Sequence, residues 1–209
     1  MRKILCVILI SLVTIPSIFS ITNYGGIKAS FVKEITWSET ISEGTKTRTK
    51  IETDSLNFGF SGANYFGKNK SFGIGYDLGV RRDLKFLNGD TAKSVSNQIG
   101  INVSSLFLYK LDITQKLSLE MGAGISLESK TFYYKDTNVK AIEWLLEPKL
   151  QVGLLYSVSD FLILQGGVKL GLPLVDLAGT SKTVSGASSF DMCVSGFDVC
   201  GFAGLYLAY

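Results

Sequence analysis

Apolar and polar residues alternate with a period of two over most of this chain, the mark of extended strands that present two different faces. Phe72, Ile74, Tyr76, Leu78 and Val80 form one set; Gly73, Gly75, Asp77, Gly79 and Arg81 form the other. The alternation is cleanest where Leu117, Leu119, Met121, Ala123, Ile125 and Leu127 interleave with Ser118, Glu120, Gly122, Gly124, Ser126 and Glu128. Even positions from Ile142 to Tyr156 repeat it, with Pro148 as a blemish because proline cannot donate to a ladder. Weaker versions run through 27–31, 56–60, 99–109, 162–172 and 197–209. Eight strands are predicted, and no segment carries a helical period.

The connections alternate too. Segments 38–53, 82–97, 129–140 and 173–195 are long and polar, whereas 62–70, 111–116 and 157–160 are shorter. Four long and three short connections, in that order, are what an up-and-down barrel with both termini on one side requires. The predicted fold is therefore all-β, an eight-stranded antiparallel up-and-down transmembrane β-barrel.

Eight alternating strands also suit a soluble periplasmic ligand-binding barrel, whose apolar set points inward. The polar set separates the two. It is rich in Gly and Ser, which pack poorly on a water-facing strand but fit the crowded inside of an eight-stranded barrel. Its charges come in both signs: Lys28, Arg81, Lys110, Lys149 and Lys169 against Asp77, Glu120, Glu143 and Glu147. Buried unpaired charges are costly, so these are expected to pair as a balanced network across a narrow lumen. Aromatic residues sort to the strand ends, with Phe66, Phe72, Tyr109, Tyr156, Phe161 and Tyr209 at one rim and Trp37, Phe132, Tyr133, Tyr134, Trp144 and Phe197 at the other. Two such girdles mark membrane interfaces.

Residues 1–20 read as a cleaved signal peptide: Arg2 and Lys3, then an apolar run to Ile15, then Pro16 and a small residue at Ser20. A run of about a dozen apolar residues falls short of the roughly 20 that span a bilayer as a helix. Residues 21–209 are then one barrel domain. Of the net charge of +3, Arg2 and Lys3 account for two, so no nucleic-acid footprint follows. The outer connections carry near-equal numbers of basic and acidic residues, without a visible basic patch for lipid phosphates.

Cys6 lies near the start of the apolar run rather than after it, which argues against a lipid anchor. Cys193 and Cys200 remain. Seven residues along one extended strand separate two cysteines by more than about 20 Å, so a Cys193–Cys200 disulfide requires the chain to double back between them. The sequence contains no histidine. Ser-His-Asp chemistry is thereby unavailable, the glycine-rich stretches lack the features of a phosphate loop, and neither an enzymatic activity nor a cofactor or metal is expected.

The C-terminal strand ends on Tyr209, preceded at alternate positions by Leu207, Leu205, Ala203 and Gly201. In this the chain resembles the small outer-membrane barrels of the OmpA transmembrane-domain, OmpX and OmpW kind, across residues 21–209. The resemblance implies a cell outer membrane location in a diderm bacterium and a monomer in contact with outer-membrane lipids. It also implies that Ala203, Leu205, Leu207 and Tyr209 are a signal read by the outer-membrane assembly machinery. Two roles stay open: a plugged scaffold whose outer loops meet surface ligands, and a small channel for ions or small apolar solutes. Leu106, Leu108, Leu145 and Leu155 motivate the second, since alternation aims them inward, although a bulge that flips the register explains them more cheaply.

Overall fold

A computed structural model describes residues 23–209 apart from 43–44, 68, 89–90, 93–98, 135–138, 174, 179 and 185–186. The side chains of 38–42, 86–88, 91–92, 130–134, 139–143, 175–178, 180–184 and 187–194 also lie outside the described set. The expected signal peptide falls outside it as well.

Eight long strands form one ring. They are β1 (Asn23–Ser42), β2 (Thr45–Phe66), β3 (Phe72–Asn88), β4 (Ile99–Asp112), β5 (Leu117–Tyr134), β6 (Val139–Ser157), β7 (Leu162–Gly171) and β8 (Ala187–Ala208). Each pairs antiparallel with its neighbours in sequence, and β8 returns to β1 from Tyr24 opposite Ala208 to Ile41 opposite Phe190. The closure pairs each of the eight long strands on both sides. At the end where the chain terminates, the backbones of Asn23 and Tyr209 exchange hydrogen bonds of 3.3 and 3.0 Å.

Three short turns sit at this terminal end. The β2–β3 turn uses Gly67 and Lys70 at positive φ. In the β4–β5 turn the Thr114 hydroxyl accepts from the backbone N–H groups of Lys116 and Leu117 at 3.2 and 3.0 Å. At the other, loop end the strands run further than the hydrophobic pattern suggests: β1 and β2 continue to Ser42 and from Thr45, and β5 and β6 to Tyr134 and from Val139. Segments 38–53 and 129–140 are thus mostly paired strand. Period-two patterning missed these extensions because 38–50 and 129–140 carry no regular alternation of apolar and polar residues.

The faces settle the solvent. Phe60 is 66% exposed on the outside, and Ile27, Phe58, Ile125, Leu150 and Leu207 are comparably exposed, while Asp77, Arg81, Glu120, Glu128 and Glu147 are buried inside. A soluble ligand-binding barrel needs the reverse arrangement, so that alternative is set aside. Phe72, Tyr109, Tyr156, Phe161 and Tyr209 ring the terminal end, and Trp144 and Phe197 are exposed at the loop end.

Inward glycines provide the space this packing needs. A Cβ on Gly75 or Gly122 would stand 2.8 or 2.6 Å from the Leu108 side chain, which fills the hollow the two leave.

Candidate functional site

The interior is the candidate site, and it is filled in three layers. The terminal-end layer is apolar and aromatic. Tyr24 on β1, Ala63 and Tyr65 on β2, Leu106 and Leu108 on β4, Leu155 on β6, Ile163 on β7 and Tyr206 on β8 form one buried cluster. Alternation places them inside, and neither β4 nor β6 shifts register at these leucines. The ladders keep register at Leu106, Leu108 and Leu155, and the shift on β6 between Trp144 and Leu145, against the short stretch Val175–Ala178, leaves Leu145 inside, so that no bulge turns the four outward and all are buried, 1–5% exposed.

Glu120 is fully buried against this layer. Its Oε2 accepts from the Tyr24 hydroxyl at 2.5 Å and from the Tyr65 hydroxyl; its Oε1 accepts from the Gln151 and Gln165 amides at 2.6 Å each. Four donors fill the carboxylate's acceptor sites. The expected lysine partner is absent: Lys110, opposite Glu120 in the ladder, instead lies 5.0 Å over the Tyr65 ring and 3.7 Å from Asp112. The tyrosine donors were missed because Tyr24 and Tyr65 lie outside 27–31 and 56–60, the stretches where β1 and β2 alternate.

The middle layer is a charged triad. Lys28 on β1 and Lys169 on β7 both pair with Asp77 on β3, which also accepts from the Ser104 hydroxyl at 3.0 Å. Both ammonium groups stand over the Phe202 ring, at 5.5 and 5.4 Å. Ring faces are negative, so Phe202 compensates part of the excess positive charge.

The loop-end layer holds two more clusters. Arg81 Nη1 lies 2.7 Å from Glu34 and 2.5 Å from Glu128, and its Nε donates to Asp83 at 2.8 Å. Lys149 lies 2.6 Å from Glu147 and 2.8 Å from Asp198. Between the middle and loop-end layers remains a cavity of about 40 Å³, lined by Ser30, Asn57, Asn102, Ser126 and the flanking charges. Asn57, Asn102 and Ser126 each have a side-chain oxygen without a protein partner. A water needs about 10–15 Å³ and two or more polar partners, so the cavity suits two or three waters and no larger solute.

Of the residues expected to form the lumen network, Lys28, Asp77, Arg81, Lys149, Lys169 and Glu147 do so, and Glu120 joins through neutral donors. The Glu143 side chain lies outside the described residues. Glu128, which the alternation already placed on the inward side, joins the network, and Glu34, Asp83 and Asp198 complete it and were not expected. With them the described interior carries more carboxylates than cations, which corrects the balanced lumen. Glu34 was missed because it lies beyond 27–31, the stretch where β1 alternates, and Asp198 because it sits at the very start of the weakly alternating last strand.

The disulfide is also corrected. Cys193 and Cys200 fall within the single run of β8, which does not double back between them, and Cys200 is a buried free thiol. The Cys193 side chain lies outside the described residues. Leu205, Leu207 and Tyr209 face outward at the terminal end, exposed to the surroundings as an apolar strip.

No protein-family model matches the sequence, and no curated protein does. Solved structures do match the fold. The outer membrane protein AlkL, solved by solid-state NMR in lipid bilayers, is similar at 17% identity over 90% of this chain and 90% of its own, with a TM-score of 0.56. The outer membrane protein OprG from Pseudomonas aeruginosa is similar at 13% identity over 90% of this chain and 97% of its own, with a TM-score of 0.55. At such identities only architecture is shared. The chain has the fold of the small eight-stranded outer-membrane β-barrels.

Proposed function

We propose that this protein is a non-enzymatic integral barrel of the bacterial outer membrane, closed along its axis, which serves as a structural and surface-interaction scaffold. Its terminal end faces the periplasm and its long polar hairpins face outward. The observation that carries the reading is the terminal-end layer, where buried aromatic and aliphatic side chains from six strands meet with Glu120 bound among them. Above it, Lys169 on β7 reaches Asp77 on β3 across the ring, the Arg81 and Lys149 clusters bridge strands two apart, and the remaining cavity is water-sized. With the interior filled in this way by the described residues, the parts left free to act are the extended hairpins and the lipid-facing wall.

The inward leucines favour a second reading, a channel for small apolar solutes. Yet Leu106, Leu108 and Leu155 are packed into the closing layer rather than lining a free passage. Conductance in planar bilayers tests the proposal. Brief or absent current is expected, and steady ohmic current would overturn the closed lumen. Faster uptake of small apolar solutes by liposomes holding the protein would instead support the channel.

A further inference from the structure

We propose that Tyr76 is the tongue of a clasp on the outside of the barrel, which holds the β1–β8 seam shut at the terminal end. The outward wall is built largely from big apolar side chains such as Ile27, Phe58, Phe60 and Leu207, yet one row of it carries two glycines. Gly62 on β2 pairs with Gly25 on β1, and the row continues to Tyr76 on β3 on one side and to Leu207 on β8 on the other. Neither glycine is there for its backbone conformation, since Gly67 is the one glycine at positive φ among the described residues. The pair instead leaves a trough two strands wide.

The Tyr76 ring lies in that trough. Gly62 is buried although it shares the outward parity of Phe58 and Phe60, and a Cβ there would stand 2.5 Å from the Tyr76 hydroxyl and 2.7 Å from its ring carbon Cζ. A Cβ on Gly25 would stand 3.4 Å from the same hydroxyl and 3.7 Å from the Tyr209 ring. Here the Tyr76 hydroxyl is hydrogen-bonded to that of Tyr209. An aromatic ring laid across strand glycines restores the packing that the glycines give up.

Position gives the contact its effect. Tyr76 stands two strands from the seam, and Tyr209 follows the last residue of β8. The two can meet only across β2 and β1, and only when β8 is paired with β1. The backbone bonds between Asn23 and Tyr209 hold this end of the seam along the ladder, and the clasp ties it a second time from outside. A contact made only after closure stabilises the closed ring without helping earlier strands to pair, so it slows opening more than it speeds folding.

The test uses the full chain folded in dilauroylphosphatidylcholine vesicles, with the rate of opening in urea read from the loss of the heat-dependent gel band. Tyr76→Phe and Tyr209→Phe keep both rings and remove the bond. Each is expected to open roughly two- to tenfold faster, the span of one neutral hydrogen bond, and the double variant no faster than Y76F alone. Y156F, which alters a girdle tyrosine on β6 outside the clasp, should match the wild type. Gly25→Leu drives a side chain between the two rings, so it should speed opening in the wild type and not in a Y76A background, where the trough is empty. Ala29 and Ala203 face each other across the seam, and a disulfide between A29C and A203C, in a background without the native cysteines, should erase the effect of Y76F. Wild-type rates for both phenylalanine variants, effects that multiply in the double, or an equal effect of G25L in both backgrounds would overturn the clasp. So would an undiminished Y76F effect in the stapled barrel, which would mean that Tyr76 supports only β2 and β3.

Discussion

Arg81 offers the sharpest test of whether the interior is a packed solid or a wet pore. Its guanidinium is 3% exposed and touches Glu34 on β1, Asp83 on its own strand and Glu128 on β5, at 2.5–2.8 Å. Replacing it with methionine keeps the volume roughly constant and strands three buried carboxylates. Removing one partner of a buried ion pair costs about 3–5 kcal/mol, chiefly from the charge left behind. We therefore expect R81M to lose about 3–5 kcal/mol, and R81K a smaller amount, because a single ammonium cannot reproduce the three-way fork. Adding E128Q to R81M removes one of the orphaned charges and should recover part of the loss, a coupling that an additive pair would not show. The assay is urea unfolding of the protein folded in bilayers, followed by the fluorescence of Trp37 and Trp144 and by gel migration. An R81M loss below about 1 kcal/mol with an unchanged urea dependence would mean that water already solvates these carboxylates. That would refute the packed interior, and the closed-lumen proposal with it.

Leu108→Ala should lose about 2–5 kcal/mol in the same titration, since Leu108 fills the hollow between Gly75 and Gly122 and its removal leaves a cavity. Cys200, tested in a C193A background, should resist maleimide in the folded barrel and react fully after boiling in detergent, as its burial requires; rapid labelling of the folded form would contradict its inward placement. Tyr209→Ala should still fold in bilayers with the heat-dependent gel migration of the wild type, because the side chain is 68% exposed and fills no interior space. If the last strand is read by the assembly machinery, the same variant should accumulate less in the outer membrane of cells, measured by fractionation at matched synthesis.

Much of this molecule was legible in one dimension. Period-two alternation, seen most cleanly in Leu117–Glu128, is a local property of strands, and it assigned each side chain to a face without any knowledge of its partners. Glycine and serine among the inward positions then identified the narrow interior, and the apolar outward set identified lipid as the solvent. Lys28, Asp77, Arg81, Lys149 and Lys169 were placed inside on that basis, and they are inside.

Partner choice was not legible, because it depends on the shear that closure imposes between strands far apart in sequence. Arg81 meets Glu128 across 47 residues, and Tyr24 meets Glu120 across 96. No spacing rule reaches that distance. Only the closed barrel gave Glu120 two tyrosines and two glutamines in place of a lysine. Bulges are equally silent in the pattern: one inserted residue, Leu84, decides that Lys85 faces outward rather than into the lumen. The sequence by itself determined the strands, their faces and their solvent, since each follows from neighbours one or two residues away. Which charges meet and where the lumen closes came only from the folded ring, since both are consequences of register summed around it.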